Sequence, residues 1–276
     1  MELSNKIRLG IALSGGGARG IAHIGVLAAL ENYGIYPQAV SGTSMGAIIG
    51  LLYADGKKPK EILEIIKRYK FASIMGLNIA RTGFIKTKRI ESFIDENVVA
   101  KTFEELKLEY HVSATNLNEG AYRIFNTGEL KRPVLASASI PVLFQPVDID
   151  GDLYVDGGLL NNLPIEPIKK SCDKIIGVHV NRNGRKDDIK SMKSVGDRCF
   201  RIAIWQTVRE RLKECDFVIE PIKVYDFSTF SFDKADQLFE HGYNSTEKSI
   251  LQLFEQFDLD KIYQKSNEMN GIRTYK

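Results

Sequence analysis

A serine between two glycines is the residue in this sequence with the clearest capacity for chemistry. Residues 42–46 read Gly-Thr-Ser-Met-Gly, with Ser44 at the centre and Gly42 and Gly46 on either side. The pattern lies where a strand pattern turns into a helix pattern, a turn that strains the serine backbone and exposes its hydroxyl. Ser44 is therefore a candidate nucleophile. The structural alternative is a glycine-lined helix start with Ser44 as its N-cap.

A serine nucleophile needs a base, and the sequence offers two kinds. The histidines are His23, His111, His179 and His241. Asp156 ends a strand pattern and is followed by Gly157 and Gly158, which allow a carboxylate on a tight turn to approach another loop. Its ordinary pKa of about 3.9 makes it a weak base that depends on a short hydrogen bond and a dry site. An ordinary turn aspartate is the alternative interpretation.

Residues 15–20, Gly-Gly-Gly-Ala-Arg-Gly, form a glycine loop between a strand pattern and a helix pattern. The loop satisfies GxGxxG, so nucleotide binding is one hypothesis. The second strand region, 35–41, contains no acidic residue to hold a ribose, and no GK[ST] follows the glycines. The physical property that remains is a set of backbone N–H groups that can stabilise negative charge, an oxyanion as well as a phosphate.

Repeated strand and helix patterns must position these residues. The first 55 residues contain two strand–helix units, a strand over 7–13 with a helix over 21–30 and a strand ending at Val40 with a helix over 47–54. Two such units in succession predict a parallel sheet covered by helices. Further helices are predicted over 59–70, 87–98, 132–140, about 203–212 and 233–257, and strands over 110–114, 122–126, 153–155, 174–180 and 217–220. The pair 110–114 and 122–126 suggests an antiparallel or edge pair. With no linker or repeat, 1–276 is predicted to be one domain, mainly helical over 190–276.

Composition excludes several classes of protein. Hydrophobic residues make up 43% and charged residues 26% of 276 residues, values of a folded globular chain. A net charge of +3 argues against nucleic-acid binding. Three widely spaced cysteines suggest neither a disulfide framework nor a zinc site. Because no apolar run approaches 18 residues and the first residues lack an apolar signal core, we expect a cytoplasmic protein, with peripheral membrane contact.

The sequence resembles the patatin-like phospholipase family, particularly its small bacterial members. The resemblance lies in the combination and order of a strand, the glycine loop, residues 42–46 and the distant Asp156-Gly157-Gly158. Residues 136–141, Ala-Ser-Ala-Ser-Ile-Pro, are similar to the family's ASxxxP block. Asn161-Asn162-Leu163-Pro164 is a further family-like piece. The resemblance extends over about 7–180 and implies a three-layer α/β/α fold around a mainly parallel sheet.

The resemblance implies a serine lipid acyl hydrolase that uses a Ser44–Asp156 dyad and an acyl-enzyme. In that family pattern, N–H groups of Gly15, Gly16 and Gly17 form the oxyanion hole, and Arg19 supports the loop or counters negative charge. The implied substrate is a phospholipid, lysophospholipid or other fatty-acyl ester. Neither a metal nor a cofactor is implied. A nucleotide-binding protein and a non-catalytic interaction protein of the same fold remain alternatives, as does acyl transfer instead of hydrolysis. Head group, acyl chain and oligomeric state stay open.

A basic segment over 57–89 carries ten Lys or Arg residues against Glu61 and Glu64, a local net charge of +8. Apolar residues and glycines lie among them. Such a segment can dock on an anionic bilayer or act as a lid. The alternative is a solvated helix face beside an ordinary loop.

Overall fold

One mixed β-sheet organises the chain. The computed structural model describes residues 7–69, 87–181, 184 and 189–259. Within them, eight strands lie in the order β5-β6-β3-β2-β1-β7-β8, with β4 paired to β3. Their bounds are β1 Leu9–Leu13, β2 Ala39–Gly42, β3 Glu109–Asn116, β4 Ala121–Phe125, β5 Val147–Ile149, β6 Asp152–Asp156, β7 Lys174–Val178 and β8 Phe217–Ile219.

The sheet has a parallel part and an antiparallel part. Strands β3, β2, β1, β7 and β8 run parallel to one another. Strands β4 and β6 pair antiparallel with β3, and β5 with β6. Because Gly42 of β2 lies opposite Val112 of β3 and Asp156 of β6 lies opposite Ala114, the ends of β2 and β6 come to nearly the same level of the sheet. This register brings two of the candidate residues near one another.

Helices cover both faces of the sheet. Their bounds are α1 Ala22–Asn32, α2 Met45–Ala54, α3 Pro59–Arg68, α4 Lys88–Asn97, α5 Lys131–Ser137, α6 Met192–Lys213 and α7 Ala235–Gln256. Strand β1 is buried on both sides. Leu9, Ile11 and Leu13 belong to the larger core under α1, α2 and α7, whereas Ala12 belongs to a smaller core with Val208 of α6. The three-layer α/β/α fold expected from the sequence is confirmed.

Three elements differ from the sequence-based expectations. Strand β5 was not expected. Helix α5 ends at Ser137 rather than Ile140, because Ile140 precedes a proline and the Ser139 carbonyl accepts the N–H of Asp156. Helix α6 begins at Met192, eleven residues before the start expected near 203, because its first half does not share one buried face with its second half.

The basic segment is only partly within the described residues, since 70–86 lie outside them. Its first part is helix α3, where Lys67 pairs with Glu64 and Asp236. Just before the helix, Lys57 pairs with Asp55. Part of the positive charge is thus neutralised by partners in this chain. Among the described helices, none combines the length and the hydropathy that crossing a bilayer requires.

Candidate active site

Ser44 lies in a sharp turn between β2 and α2. Its backbone has φ 54° and ψ −121°, an unusual conformation for a residue with a side chain. A Cβ at Gly42 would lie 2.5 Å from the Gly46 carbonyl oxygen, and a Cβ at Gly46 would lie 2.6 Å from that of Ser14. Both positions therefore require glycine for close backbone approach. The strained turn predicted from Gly-x-Ser-x-Gly is present in the backbone.

Asp156 ends β6 and is held from three directions. Its N–H donates to the Ser139 carbonyl at 2.9 Å, and its own carbonyl accepts from Thr115 Oγ1 at 3.0 Å. The Gly158 N–H donates to Asp156 Oδ1 at 2.7 Å. A Cβ at Gly157 would collide with the Ser113 carbonyl, so the turn after Asp156 also packs tightly on β3. The carboxylate therefore has a fixed orientation.

Ser44 and Asp156 lie close together. The Ser44 hydroxyl is near enough to the Asp156 carboxylate to lower the pKa of that carboxyl. Both residues are buried, with 8% and 6% of their surfaces exposed. Burial raises the pKa of Asp156 to about 6, against the opposing effects of the nearby Ser44 hydroxyl and of the hydrogen bond from the Gly158 N–H. A carboxylate with this pKa is a stronger base than an exposed aspartate and is still ionised at neutral pH.

The glycine loop lies against Ser44. A Cβ at Gly15 would be 3.2 Å from Ser44 Cβ. The Gly15 N–H already donates to Asn162, at 2.9 Å to Oδ1 and 3.2 Å to the main-chain oxygen. Gly17 has φ +57° and begins the 3-10 turn Gly17–Ile21. The N–H groups of Gly16 and Gly17 have no acceptor among the residues that the structure describes, whereas a role for the Gly15 N–H would require it to leave Asn162.

Arg19 links the loop to a distant part of the chain. Its Nε donates to the Phe227 carbonyl at 2.7 Å and its Nη2 to the Tyr225 carbonyl at 3.3 Å. The neighbouring Ala18 N–H donates to the Thr229 carbonyl at 2.8 Å. Residues 225–229 therefore support the glycine loop from outside. This arrangement agrees with a supporting role for Arg19.

Two serines in the block 136–141 contact the site, although sequence reasoning gave them no role. Ser137 Oγ accepts the Ser44 N–H at 3.0 Å, and the Ser139 carbonyl holds the main chain of Asp156. The small residues of this block, together with its ending at Pro141, were the available signal. Asn162 and Asn181 are further supports, because the Asn181 side chain donates to the Gly15 carbonyl.

The histidines are engaged elsewhere. His23 is fully buried with Nε2 2.8 Å from the Ser14 carbonyl, so Nε2 carries the hydrogen. Burial lowers the pKa of His23 to about 4, which leaves it neutral at neutral pH. His111 contacts Glu109 and His179 contacts Glu220, while His241 packs beside Phe227. Within the described part of the chain, no histidine hydrogen-bonds to the Ser44 side chain, and the titratable group that the Ser44 hydroxyl influences is Asp156.

Known proteins are similar to this chain in sequence. The family model for patatin-like phospholipase matches residues 11–169. An uncharacterized NTE family protein of Mycobacterium tuberculosis is 35% identical over 182 residues, which is 64% of this chain and 50% of the relative. Lysophospholipase NTE1 of Scheffersomyces stipitis is 28% identical over 281 residues, covering 89% of this chain and 18% of that protein. The chain thus spans at most half the length of these relatives.

The fold is also found among solved structures. VipD from Legionella pneumophila superposes with a TM-score of 0.54 at 14% identity, covering 85% of this chain and 67% of VipD. This likeness concerns the fold alone. The family match covers more than half of the chain and includes Ser44, Asp156 and the glycine loop. The chain belongs to the patatin-like phospholipase family.

Proposed function

We propose that this chain is a serine lipid acyl hydrolase in which Ser44 is the nucleophile and Asp156 the general base. The observation that carries the proposal is the proximity of a strained serine to a buried carboxylate whose pKa is raised to about 6 and which the serine hydroxyl influences. Family membership and the lysophospholipase names of relatives favour a phospholipid or lysophospholipid as substrate.

The first half of the reaction forms an acyl-enzyme. Ser44 Oγ attacks the ester carbonyl carbon while its proton passes to Asp156, giving a tetrahedral intermediate with a negative oxygen. The N–H groups of Gly16 and Gly17, which have no acceptor among the described residues, are suited to hold that oxygen. Each such donor typically lowers the barrier by about 2.7 to 4 kcal/mol. The intermediate then expels the alcohol, which takes the proton from Asp156.

The second half restores the enzyme. Asp156 accepts a proton from water as the water attacks the acyl carbon, and the resulting intermediate releases the fatty acid as Ser44 regains its proton. Since the same acyl-enzyme can react with another alcohol, acyl transfer is a variant of this chemistry. No step uses a histidine.

Asn162 has a positioning role in this proposal. By accepting the Gly15 N–H it fixes the first glycine of the loop, and Thr43 Oγ1 donates to the neighbouring Asn161 carbonyl at 2.8 Å. The loop and the serine turn are therefore tied to the same short segment after Asp156. We infer that Gly15 shapes the loop, while Gly16 and Gly17 supply the donors.

Hydrolysis of a short-chain chromogenic ester and of mixed phospholipid vesicles, with a chelator present, tests the proposal. Wild type should hydrolyse at least the ester, and Ser44→Ala and Asp156→Asn should each fall at least a thousandfold. Equal rates for wild type and Ser44→Ala would refute it. Tight nucleotide binding without esterase activity would favour the nucleotide alternative, and absence of turnover in the folded protein would favour a non-catalytic role.

A further inference from the structure

The Gly16 N–H is oriented by the segment that follows β7. This N–H shares one planar peptide group with the Gly15 carbonyl, and in a trans peptide the two point in opposite directions. The Gly15 carbonyl accepts a hydrogen bond from the Asn181 side chain. A Cβ at Gly16 would lie 2.5 Å from Val180 Cγ2, so the same segment also packs against the loop. Residues 179–181, here the inner arm, therefore fix the peptide that carries the first proposed donor.

The Gly17 N–H is oriented by the segment that follows β8. Its peptide lies between the one that Asn181 fixes and the next one, whose Ala18 N–H donates to the Thr229 carbonyl at 2.8 Å. A Cβ at Gly17 would collide with that same carbonyl, so the loop has no room to turn there. Residues 221–229, here the outer arm, thus hold the loop from the other side.

Glu220 joins the two arms at the point where they separate. Strands β7 and β8 are parallel neighbours, and beyond their ladder the His179 N–H donates to the Ile219 carbonyl at 3.1 Å. After that bond one chain continues as the inner arm and the other as the outer arm. Glu220 Oε1 lies 3.2 Å from His179 Nδ1 of the inner arm. The same oxygen accepts the Tyr225 hydroxyl of the outer arm at 3.0 Å, so one carboxylate bridges both arms.

The bridge has a fixed base in the fold. An ionised carboxylate only accepts hydrogen bonds, so His179 Nδ1 carries the hydrogen in its contact with Glu220. The bond from His179 lowers the pKa of the Glu220 carboxyl, against the effect of partial burial. His179 is itself buried beside Trp205, with ring centroids 5.7 Å apart. The Ser245 hydroxyl of α7 donates to the Glu220 carbonyl at 3.3 Å and so holds the main chain at the bridge.

We propose that Glu220 is a positioning residue that keeps the Gly16 and Gly17 N–H groups aimed at the negative oxygen of the tetrahedral intermediate. It acts through the two arms and does not contact the substrate. The inference rests on the proposed function, because only attack by Ser44 on an ester creates that oxygen. Without the bridge the arms are free to separate, and the donors lose the alignment on which their effect depends.

Kinetics with a soluble short-chain chromogenic ester test this role. Glu220→Ala should lower kcat and kcat/KM equally, by about tenfold or more, because the donors act on the intermediate rather than on the bound ester. Glu220→Gln keeps an acceptor oxygen for both His179 and Tyr225 and should retain kcat within about threefold of wild type. The conservative variant therefore separates loss of the bridge from loss of the charge.

Glu109→Ala is the matched control. Glu109 also bonds to a buried histidine and a hydroxyl, with His111 Nε2 and Ser171 Oγ each at 2.7 Å, and it pairs with Arg8. It begins β3, however, and thus lies at the edge of the sheet opposite the candidate site. Its replacement should lower stability in urea unfolding and leave kcat within about twofold of wild type. Loss of stability alone is thereby distinguished from loss of positioning.

Affinity for a soluble trifluoromethyl ketone gives a second readout. Ser44 Oγ adds to the ketone carbon while its proton passes to Asp156, and the tetrahedral adduct carries a negative oxygen that needs the same donors as the intermediate. The inhibition constant should rise about tenfold or more in Glu220→Ala and stay within about threefold of wild type in Glu220→Gln. A role confined to folding would not change this constant in the folded protein.

Tyr225→Phe tests the bridge even where Glu220→Ala does not fold, since it removes one bond and leaves the carboxylate in place. Its kcat should fall about threefold or more with KM unchanged. Wild-type kcat in folded Glu220→Ala or Tyr225→Phe, a change in KM alone, or an equal loss of kcat in Glu109→Ala would overturn the proposal.

Failure of this proposal and failure of the proposed function give different results. If wild type hydrolyses the ester and Ser44→Ala does not, the proposed function stands, and the Glu220 variants decide the positioning role alone. If wild type does not hydrolyse the ester, or Ser44→Ala hydrolyses it equally, the proposed function fails and the positioning role fails with it.

Discussion

Ester hydrolysis by this chain should fall about tenfold between pH 7 and pH 5. The perturbation is protonation of Asp156, whose pKa burial raises to about 6. With that pKa, about 90% of the carboxyl groups are ionised at pH 7 and about 9% at pH 5. An aspartate with the ordinary pKa of about 3.9 would lose less than about a tenth of its ionised form over the same range. The two cases are easily separated.

The same shift predicts an effect on stability. The folded protein binds the Asp156 proton more tightly than the unfolded chain, so the free energy of unfolding decreases as pH rises from about 4 to about 6. Above that window the loss is complete and amounts to about 3 kcal/mol. Asp156→Asn, which keeps an acceptor for the Gly158 N–H, should therefore be more stable than wild type at pH 8 and gain little at pH 4. Urea unfolding at both pH values measures this difference.

The assay for the rate is kcat/KM for a soluble short-chain chromogenic ester from pH 4.5 to pH 8.5. Because histidine can also act as a general base, His179→Gln and His241→Gln serve as controls and should keep the acid limb. The reasoning is refuted if the limb has its midpoint near pH 4, or if it disappears in either histidine variant while the protein remains folded.

Three further results are expected. Ser137→Ala leaves the buried Ser44 N–H without its acceptor. The substitution should reduce the free energy of unfolding by about 1 to 3 kcal/mol and should also reduce kcat. Equal stability and rate would show that this hydrogen bond is dispensable. Gly46→Ala should remove ester hydrolysis because its Cβ would meet the Leu13 and Ser14 carbonyls. Gly151→Ala, at φ +90° but with open space around it, should lower the free energy of unfolding by about 1 to 2 kcal/mol and keep activity. Ester assays and urea unfolding measure both effects. Arg19→Gln should lose about 1.5 to 3 kcal/mol in urea unfolding through its bonds to Phe227 and Tyr225, and an unchanged midpoint would contradict a structural role.

Local patterns in the sequence predicted the parts of the fold that depend on neighbouring residues. The strained turn at Ser44 and the turn after Asp156 follow from short motifs, because glycines permit close backbone approach at those positions. The parallel strands β1 and β7 follow from their continuous apolar runs, whereas β2 follows from its place between two helix patterns. Family resemblance then supplied the pairing of Ser44 with Asp156, which no local pattern could give.

The features that escaped prediction depend on contacts between distant segments. Helix α5 stops at Ser137 because the Ser139 carbonyl is needed by Asp156, a contact that periodicity cannot reveal. The first half of α6 was missed because Met192 and Ile202 face outward while Val208 faces the core, so no single apolar face spans the helix. The Gly15 N–H bond to Asn162 likewise depends on a loop far along the chain.

Covalent trapping of the nucleophile tests the central claim most directly. Wild type, Ser44→Ala and Asp156→Asn are treated with a fluorophosphonate ester, and the adduct is located by mass spectrometry of peptides. The account predicts one adduct on Ser44 in wild type, none in Ser44→Ala and much slower labelling of Asp156→Asn, because the serine then lacks its base. An adduct on another residue, or full ester hydrolysis by Ser44→Ala, would contradict it.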